Sequence, residues 1–423
     1  MKNGPAASGP PARALRIALL SYRADPEVGG QGVYVRYLSR ALAEDGHEVT
    51  VFAGPPYPEL DEGIRLVRVP SLDLYRPEDP FRRPRLREFR SAADVLEYAL
   101  MCTGAFPEPL TFGLRVSKAL ALRRDDFDVV HDNQSLGYPL LRVARRLPTV
   151  ATIHHPISVD RRIALAGAAT HKERMRRRRW FSFVPMQARV ARRLDRVISV
   201  SASAADDVVR DFGVQRSRVR VIHNGVDQEL FRPLGDIARM PGRIVTVASS
   251  DLPSKGLVHL IEAVAKLRTE RQVDLTIIGK GGRGRSVGRM VARYGVEDAV
   301  RVVGRVDALD MVRLYAESQV AVVPSLYEGF SLPALEAMSC GVPLVATQGS
   351  ALEEVVGREG DAGVLVPPGD AGALARAIGE LMDDPERLTA MGREGRARVA
   401  GGFTWRSAAA ATVAAYGEVI GGC

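Results

Sequence analysis

Apolar positions along the chain gather into short runs rich in valine and isoleucine. The first series is "LRIALLS", "HEVTVFA", "FDVVHDN", "TVATIHH", "RVISVS" and "RVRVIHN". A second follows as "RIVTVAS", "VDLTIIG", "VRVVG", "QVAVVPS", "VPLVAT" and "AGVLVPP". Most are followed by a longer stretch with helical spacing of its apolar residues. Buried strands alternating with amphipathic helices predict parallel sheets covered on both faces. The two series are separated by "FRPLGDIARMPG", Phe231–Gly242, which is unpatterned and carries proline and glycine. The pattern therefore predicts an α/β protein of two doubly wound domains, spanning 15–235 and 241–402 and facing a cleft. Between Ser71 and Val116 the strand pattern fails, and a helical excursion is expected there.

Composition agrees with this picture. A chain of 423 residues is long for one core and ample for two. Its 46% hydrophobic and 26% charged content is that of a globular protein, which excludes disordered and fibrous classes. Three scattered cysteines, Cys102, Cys340 and Cys423, give neither a disulfide framework nor metal-ligand spacing, and a cytoplasmic setting is expected. Residues 1–14 are rich in Pro, Gly and Ala and read as a disordered tail. No apolar run reaches the length of a membrane span.

Candidate chemistry concentrates in "SLYEGFSLPALEAMSCG", Ser325–Gly341, where Glu328 and Glu336 flank the start of a helix. The preceding run is a strand, and Pro333 suits a first helical position. Ligands of open α/β sheets bind beyond the carboxyl ends of strands. The N–H groups of Phe330, Ser331 and Leu332, after Gly329, can then receive a phosphate or diphosphate. Carboxylates beside a phosphate need a different target, and sugar hydroxyls are donors that a carboxylate accepts in pairs. One ligand carries both features: a nucleotide sugar. For Glu336 alone, an acidic first turn favoured by the helix dipole is the competing explanation.

Other stretches are weaker. Lys255 precedes a glycine that opens a helix and is placed to meet a diphosphate, with a solvated loop lysine as the alternative. "GKGGRG", Gly279–Gly284, matches a dinucleotide fingerprint but follows the second strand of its unit, and reads better as a phosphate-facing loop. "VGGQG", Val28–Gly32, allows a ligand close to a helix start. His131 and His154 end successive strands; His154 is the better placed, and His131 alone reads as structural. Asp126 and Asp128 form an Asp-x-Asp, read as a polar lead-in to a strand, so no bound metal is expected.

These residues together resemble the retaining glycosyltransferases of family 4, of GT-B architecture with two Rossmann-like domains. The matching parts include the glycine loop with "ALAEDGHEVTVF", "ATIHH", "RVRVIHNGVDQELFRP", "PSKG", "LTIIGKG" and "VAVVPSLYEGFSLPALEAMSCGVPLVAT". The resemblance implies a nucleotide-sugar-dependent transferase acting on a hydroxyl acceptor, lipid-linked or a cell-envelope glycan precursor, without metal or further cofactor. It implies that Glu336 holds the ribose, Glu328 lies against the transferred sugar, and Lys255 neutralises the leaving diphosphate. His154 is expected near the anomeric centre, and Gly304, Arg305 and Val306 at the base. Gly29 and Gly30 are expected over the donor phosphates or the acceptor, with Gln31 and His131 on the acceptor side. The closing segment, 403–423, is expected to cross back onto the first domain. One departure stands out: Ser249 and Ser250 occupy the region where the family usually has an arginine.

Two other readings compete with catalysis of transfer: a non-catalytic nucleotide-sugar-binding protein, and an NAD-dependent oxidoreductase resting on the lone glycine pattern. A glycoside hydrolase also uses two carboxylates, but needs no glycine loops for a diphosphate. Finally, His171–Arg196 carries ten Lys/Arg against two acids, and so dominates a net charge of +9. With Trp180, Phe181 and Phe183 among the arginines, it predicts peripheral contact with an anionic membrane at its inner face, and no nucleic-acid partner, with a solvated helix face as the alternative.

Overall fold

The computed structural model describes residues 13–25, 30–76, 78–248, 252–279, 285–304, 306–357 and 360–421. The chain divides into two compact units. The first comprises Met1–Ile198, Val209–Arg220 and Ala409–Cys423, the second Ser199–Val208 and Val221–Ala408.

In the first unit the strands are β1 (Arg16–Ser21), β2 (Glu48–Ala53), β3 (Arg65–Arg68), β4 (Val129–Asn133), β5 (Thr149–Ile153), β6 (Arg196–Ser199) and β7 (Val219–Val221). They form one sheet in the order β3-β2-β1-β4-β5-β6-β7. The pairs β1–β2, β1–β4, β2–β3 and β4–β5 are parallel. Ile17 to Leu20 are completely buried, as a central strand covered on both faces requires. The order reverses between β1 and β4, so the loops after these two strands diverge at a switch point. The excursion is helical, with Ala92–Cys102 and Glu108–Ala121.

The second unit holds β8 (Met240–Val247), β9 (Asp274–Ile278), β10 (Val300–Val303), β11 (Ser318–Val323), β12 (Leu344–Thr347) and β13 (Val364–Val366). Their order is β10-β9-β8-β11-β12-β13, again parallel, with the switch between β8 and β11. Two buried clusters cover the sheet, one around Leu260, Leu275 and Ile378, the other around Val245, Ala321 and Leu344.

The contacts place the division between units at Arg220/Val221, earlier than the Phe231–Gly242 stretch. The reason is packing: Val226 and Phe231 belong to the second unit's core. The closing helix, Trp405–Ile420, groups with the second unit up to Ala408 and with the first from Ala409. Among the described residues no helix is long and apolar enough to cross a membrane.

Candidate active site

The loops that follow β8 and β11 meet at the second unit's switch point. Gly256 makes this approach possible. Its φ is +65°, and a Cβ there would lie 1.9 Å from the carbonyl oxygen of Pro324. The Leu326 N–H donates to the Ser254 carbonyl at 2.8 Å, closing the two loops together. Lys255 is thereby carried to Glu328: its Nζ lies 2.7 Å from Oε1. Ser325 Oγ donates to the same oxygen at 2.7 Å, and Glu328 is only 7% exposed.

Beyond Glu328, the Gly329 carbonyl accepts from Ser201 Oγ at 2.8 Å. The Phe330 ring stacks on His223, which fixes the chain just before the helix Leu332–Ser339. Ser331 caps that helix, accepting from the Ala334 N–H at 3.4 Å. Among the described residues, the N–H groups of Phe330, Ser331 and Leu332 have no protein acceptor. Such donors at a helix start are an anion-binding arrangement. Glu336 lies one turn further on. Burial pushes its carboxyl up to about 7, while the Tyr315 hydroxyl, donating to Oε2 at 3.3 Å, pulls it back in part. Gly304 is exposed and Val306 half-buried at the end of β10. Ser249, Ser250, Arg305 and the loop 280–284 lie outside the described residues, as does Gly29 in the first unit.

In the first unit, His154 sits at the end of β5. Its N–H donates to Gln134 Oε1 at 2.7 Å, and its Nε2 lies 2.7 Å from Asn133 Oδ1. Asn133 Nδ2 is turned to Ser21 Oγ, so Oδ1 is the acceptor and His154 carries its proton on Nε2. Burial holds the imidazole well down, at about 3, so it is neutral with an accepting Nδ1. The Tyr34 ring meets it edge-on at 4.7 Å. The loop after β4 is strained, with Gln134 and Leu136 in the left-handed region at φ 56° and 47°. Asp132 holds it there by accepting from Ser135 Oγ and from the Leu136 N–H.

His131 requires a correction. It is wholly buried, with Nδ1 bonded to the Tyr416 hydroxyl and Nε2 to Thr152 Oγ1, each at 2.7 Å. Both nitrogens are occupied, so it anchors the closing helix and does not face an acceptor. Gly30 is exposed at the start of its helix, and Gln31 is half-buried and bonded to the Tyr22 hydroxyl. Asp128 is taken up by Arg16 and Asp126 by Arg123, which leaves neither as a free ligand pair. In 171–196, Trp180 and Phe183 pack on Phe106, and Trp180 also on Tyr75, while Trp180, Phe181 and Phe183 all stay half-buried. Sequence reading passed over Tyr315, Ser325 and Asn133, which position the candidate groups. Only Asn133 had a visible signal, as a polar residue ending a buried strand.

A nucleotide-sugar transferase architecture is what this arrangement defines, and sequence comparison agrees. Residues 237–398 match the family model described as glycosyl transferases group 1, and 29–225 match a glycosyl transferase 4-like domain. The chain belongs to this glycosyltransferase family. The MMP alpha-(1->4)-mannosyltransferase of Mycolicibacterium hassiacum is 48% identical over 96% of this chain and 98% of its own. Among solved structures, the sucrose-phosphate synthase of Thermosynechococcus elongatus superposes with a TM-score of 0.75, at 25% identity over 97% of this chain and 100% of that one. Anabaena HepE, solved with UDP-glucose, shares the fold at a TM-score of 0.68 and 18% identity, over 95% and 99%.

Proposed function

We propose that this chain transfers a mannosyl residue from a nucleoside-diphosphate mannose to a saccharide hydroxyl, with retention, forming an α-(1→4) bond. The sugar and linkage follow the name of the Mycolicibacterium relative, which aligns along nearly its whole length. The single observation that carries the chemistry is the Lys255–Glu328 pair at the mouth of the helix Leu332–Ser339.

A departing diphosphate gathers negative charge as the anomeric bond stretches. The Lys255 ammonium and the N–H groups of Phe330, Ser331 and Leu332 answer that charge. Glu328 accepts from hydroxyls of the transferred sugar, and Glu336 from the ribose diol. Gly304 and Val306, at the end of β10, border the base. The acceptor oxygen bonds to the anomeric carbon from the face the diphosphate leaves, and its proton passes to the departing phosphate oxygen. Neutral His154 accepts a substrate hydroxyl through Nδ1, with Gln31 on the acceptor side. Lys255 supplies the charge a divalent ion supplies elsewhere, so transfer is expected to survive exhaustive chelation.

The test is release of nucleoside diphosphate from GDP-mannose and UDP-glucose with short mannoside acceptors, followed by NMR of the product linkage. At least about tenfold preference for the mannosyl donor and an α-(1→4) product are expected. Turnover of neither donor, or a β-linked product, overturns the reading.

A further inference from the structure

The helix Ala92–Cys102 is mounted inside out. Its two carboxylates, Asp94 and Glu97, are buried, at 6% and 0% exposure, and both pair with Arg115 of the next helix. Glu97 also accepts from the Leu72 N–H. Fixing those residues inward turns Val95 and Leu96 to the surface, at 57% and 36% exposure. The turn Leu86–Glu88 just before it adds Leu86, 91% exposed, and the Phe89 and Tyr98 rings tie that turn to the helix. The segment leading into the helix carries Arg83, Arg85, Arg87 and Arg90, all exposed. None of the four forms an ion pair among the described residues, whereas Arg82 is bound to Glu88.

Burying charge and exposing leucine inverts the usual order, so a solvent-facing role does not account for this surface. A second copy of the chain fits it badly, because a two-fold contact brings the four arginines against themselves. Exposed apolar side chains beside a run of exposed arginines without ion pairs match a layer that is anionic at its surface and hydrocarbon beneath. We propose that this face, Leu86, Val95 and Leu96 with the arginines leading into the helix, docks the protein onto an anionic lipid surface. It is distinct from 171–196, where Trp180 and Phe183 pack on Phe106.

The full chain is mixed with vesicles of phosphatidylcholine alone, or of equal parts phosphatidylcholine and phosphatidylglycerol, and sedimented. Binding to the mixed vesicles is expected to exceed binding to the neutral ones by at least about tenfold and to weaken with salt. Leu86→Ser/Val95→Ser/Leu96→Ser is expected to lose about tenfold of it at an unchanged thermal midpoint. A polarity-sensitive dye on Cys102, exposed at the end of the same helix, in a Cys423→Ser background, should shift to the blue only with the mixed vesicles. Equal binding to both vesicles, binding to neither, or wild-type binding by the triple variant overturns the proposal.

Discussion

Lys255 Nζ and Glu328 Oε1 are 2.7 Å apart although 73 positions separate them in the chain. They meet because β8 and β11 are neighbours at the switch point, so the loops leaving both strands share one edge. In the free protein each charge satisfies the other, and a donor gives each a new partner. Glu328→Gln and Lys255→Ala are each expected to lower kcat/KM by at least about a hundredfold. They differ in stability. Lys255→Ala leaves a nearly buried carboxylate with Ser325 alone and should cost about 2 kcal/mol, whereas Glu328→Gln removes the charge itself and should cost less. Urea denaturation beside steady-state kinetics separates the two effects. Near wild-type turnover in both variants would falsify the donor-site assignment.

Gly256→Ala is expected to damage the same site through the backbone. A methyl at this position sits 1.9 Å from the Pro324 carbonyl oxygen, at a φ of +65°. The two loops must part to admit it, at an expected cost of more than about 2 kcal/mol. Donor affinity should fall with stability, because Lys255 is the residue just before Gly256. A variant as stable as the parent, by urea midpoint, contradicts this account of the close approach.

Glu336 couples pH to both folding and binding. Its folded pKa is about 7, above the ordinary 4.5. Between those values the folded state holds more protons than the unfolded, so this group's contribution to stability falls as pH rises. Glu336→Gln removes the titration and keeps an acceptor for the Tyr315 hydroxyl. The variant is expected to be up to about 3 kcal/mol more stable than the parent at pH 8 and unchanged at pH 4. Donor affinity should drop at least about tenfold, since the ribose diol loses its charged acceptor. Urea titrations at the two pH values, and donor titration at pH 8, decide it.

Much of this was legible in the chain itself. Runs such as "VAVVPS" and "LTIIG" are buried on both faces, so composition alone marks them as strands. β3 escaped because "RLVR" is an edge strand with polar ends and only partial burial. The unit boundary escaped because Val226 and Phe231, set among turn residues, pack into a core that local pattern does not show. Glu328, Glu336 and Lys255 stood out because carboxylates beside a helix mouth need a reason. Their partners did not: Tyr315 lies on the helix Ala308–Glu317, 21 positions before Glu336, and only the folded sheet joins them. The packing partners of the 171–196 rings were hidden for the same cause, since Tyr75 and Phe106 are distant in sequence.

Asn133 sets what His154 can do. Its Oδ1 accepts from Nε2–H at 2.7 Å, leaving Nδ1 with a lone pair, and burial keeps the ring neutral, at about 3. A neutral acceptor suits a substrate hydroxyl; an imidazolium has no lone pair to offer it. The parent enzyme is therefore expected to show no inflection from His154 between pH 5 and 8. Asn133→Asp keeps the acceptor but adds a negative charge beside Nε2–H, which favours the protonated ring and raises its pKa. That variant should acquire an acidic limb, with kcat/KM falling by at least about tenfold as pH drops from 8 to 5, while its value at pH 8 stays closer to the parent's. Nitrogen-15 spectra of the His154 side chain follow the same protonation without reference to activity. A charged His154 in the parent at pH 7, or an Asn133→Asp profile as flat as the parent's, would show that the neutral tautomer is not what this loop is built to hold.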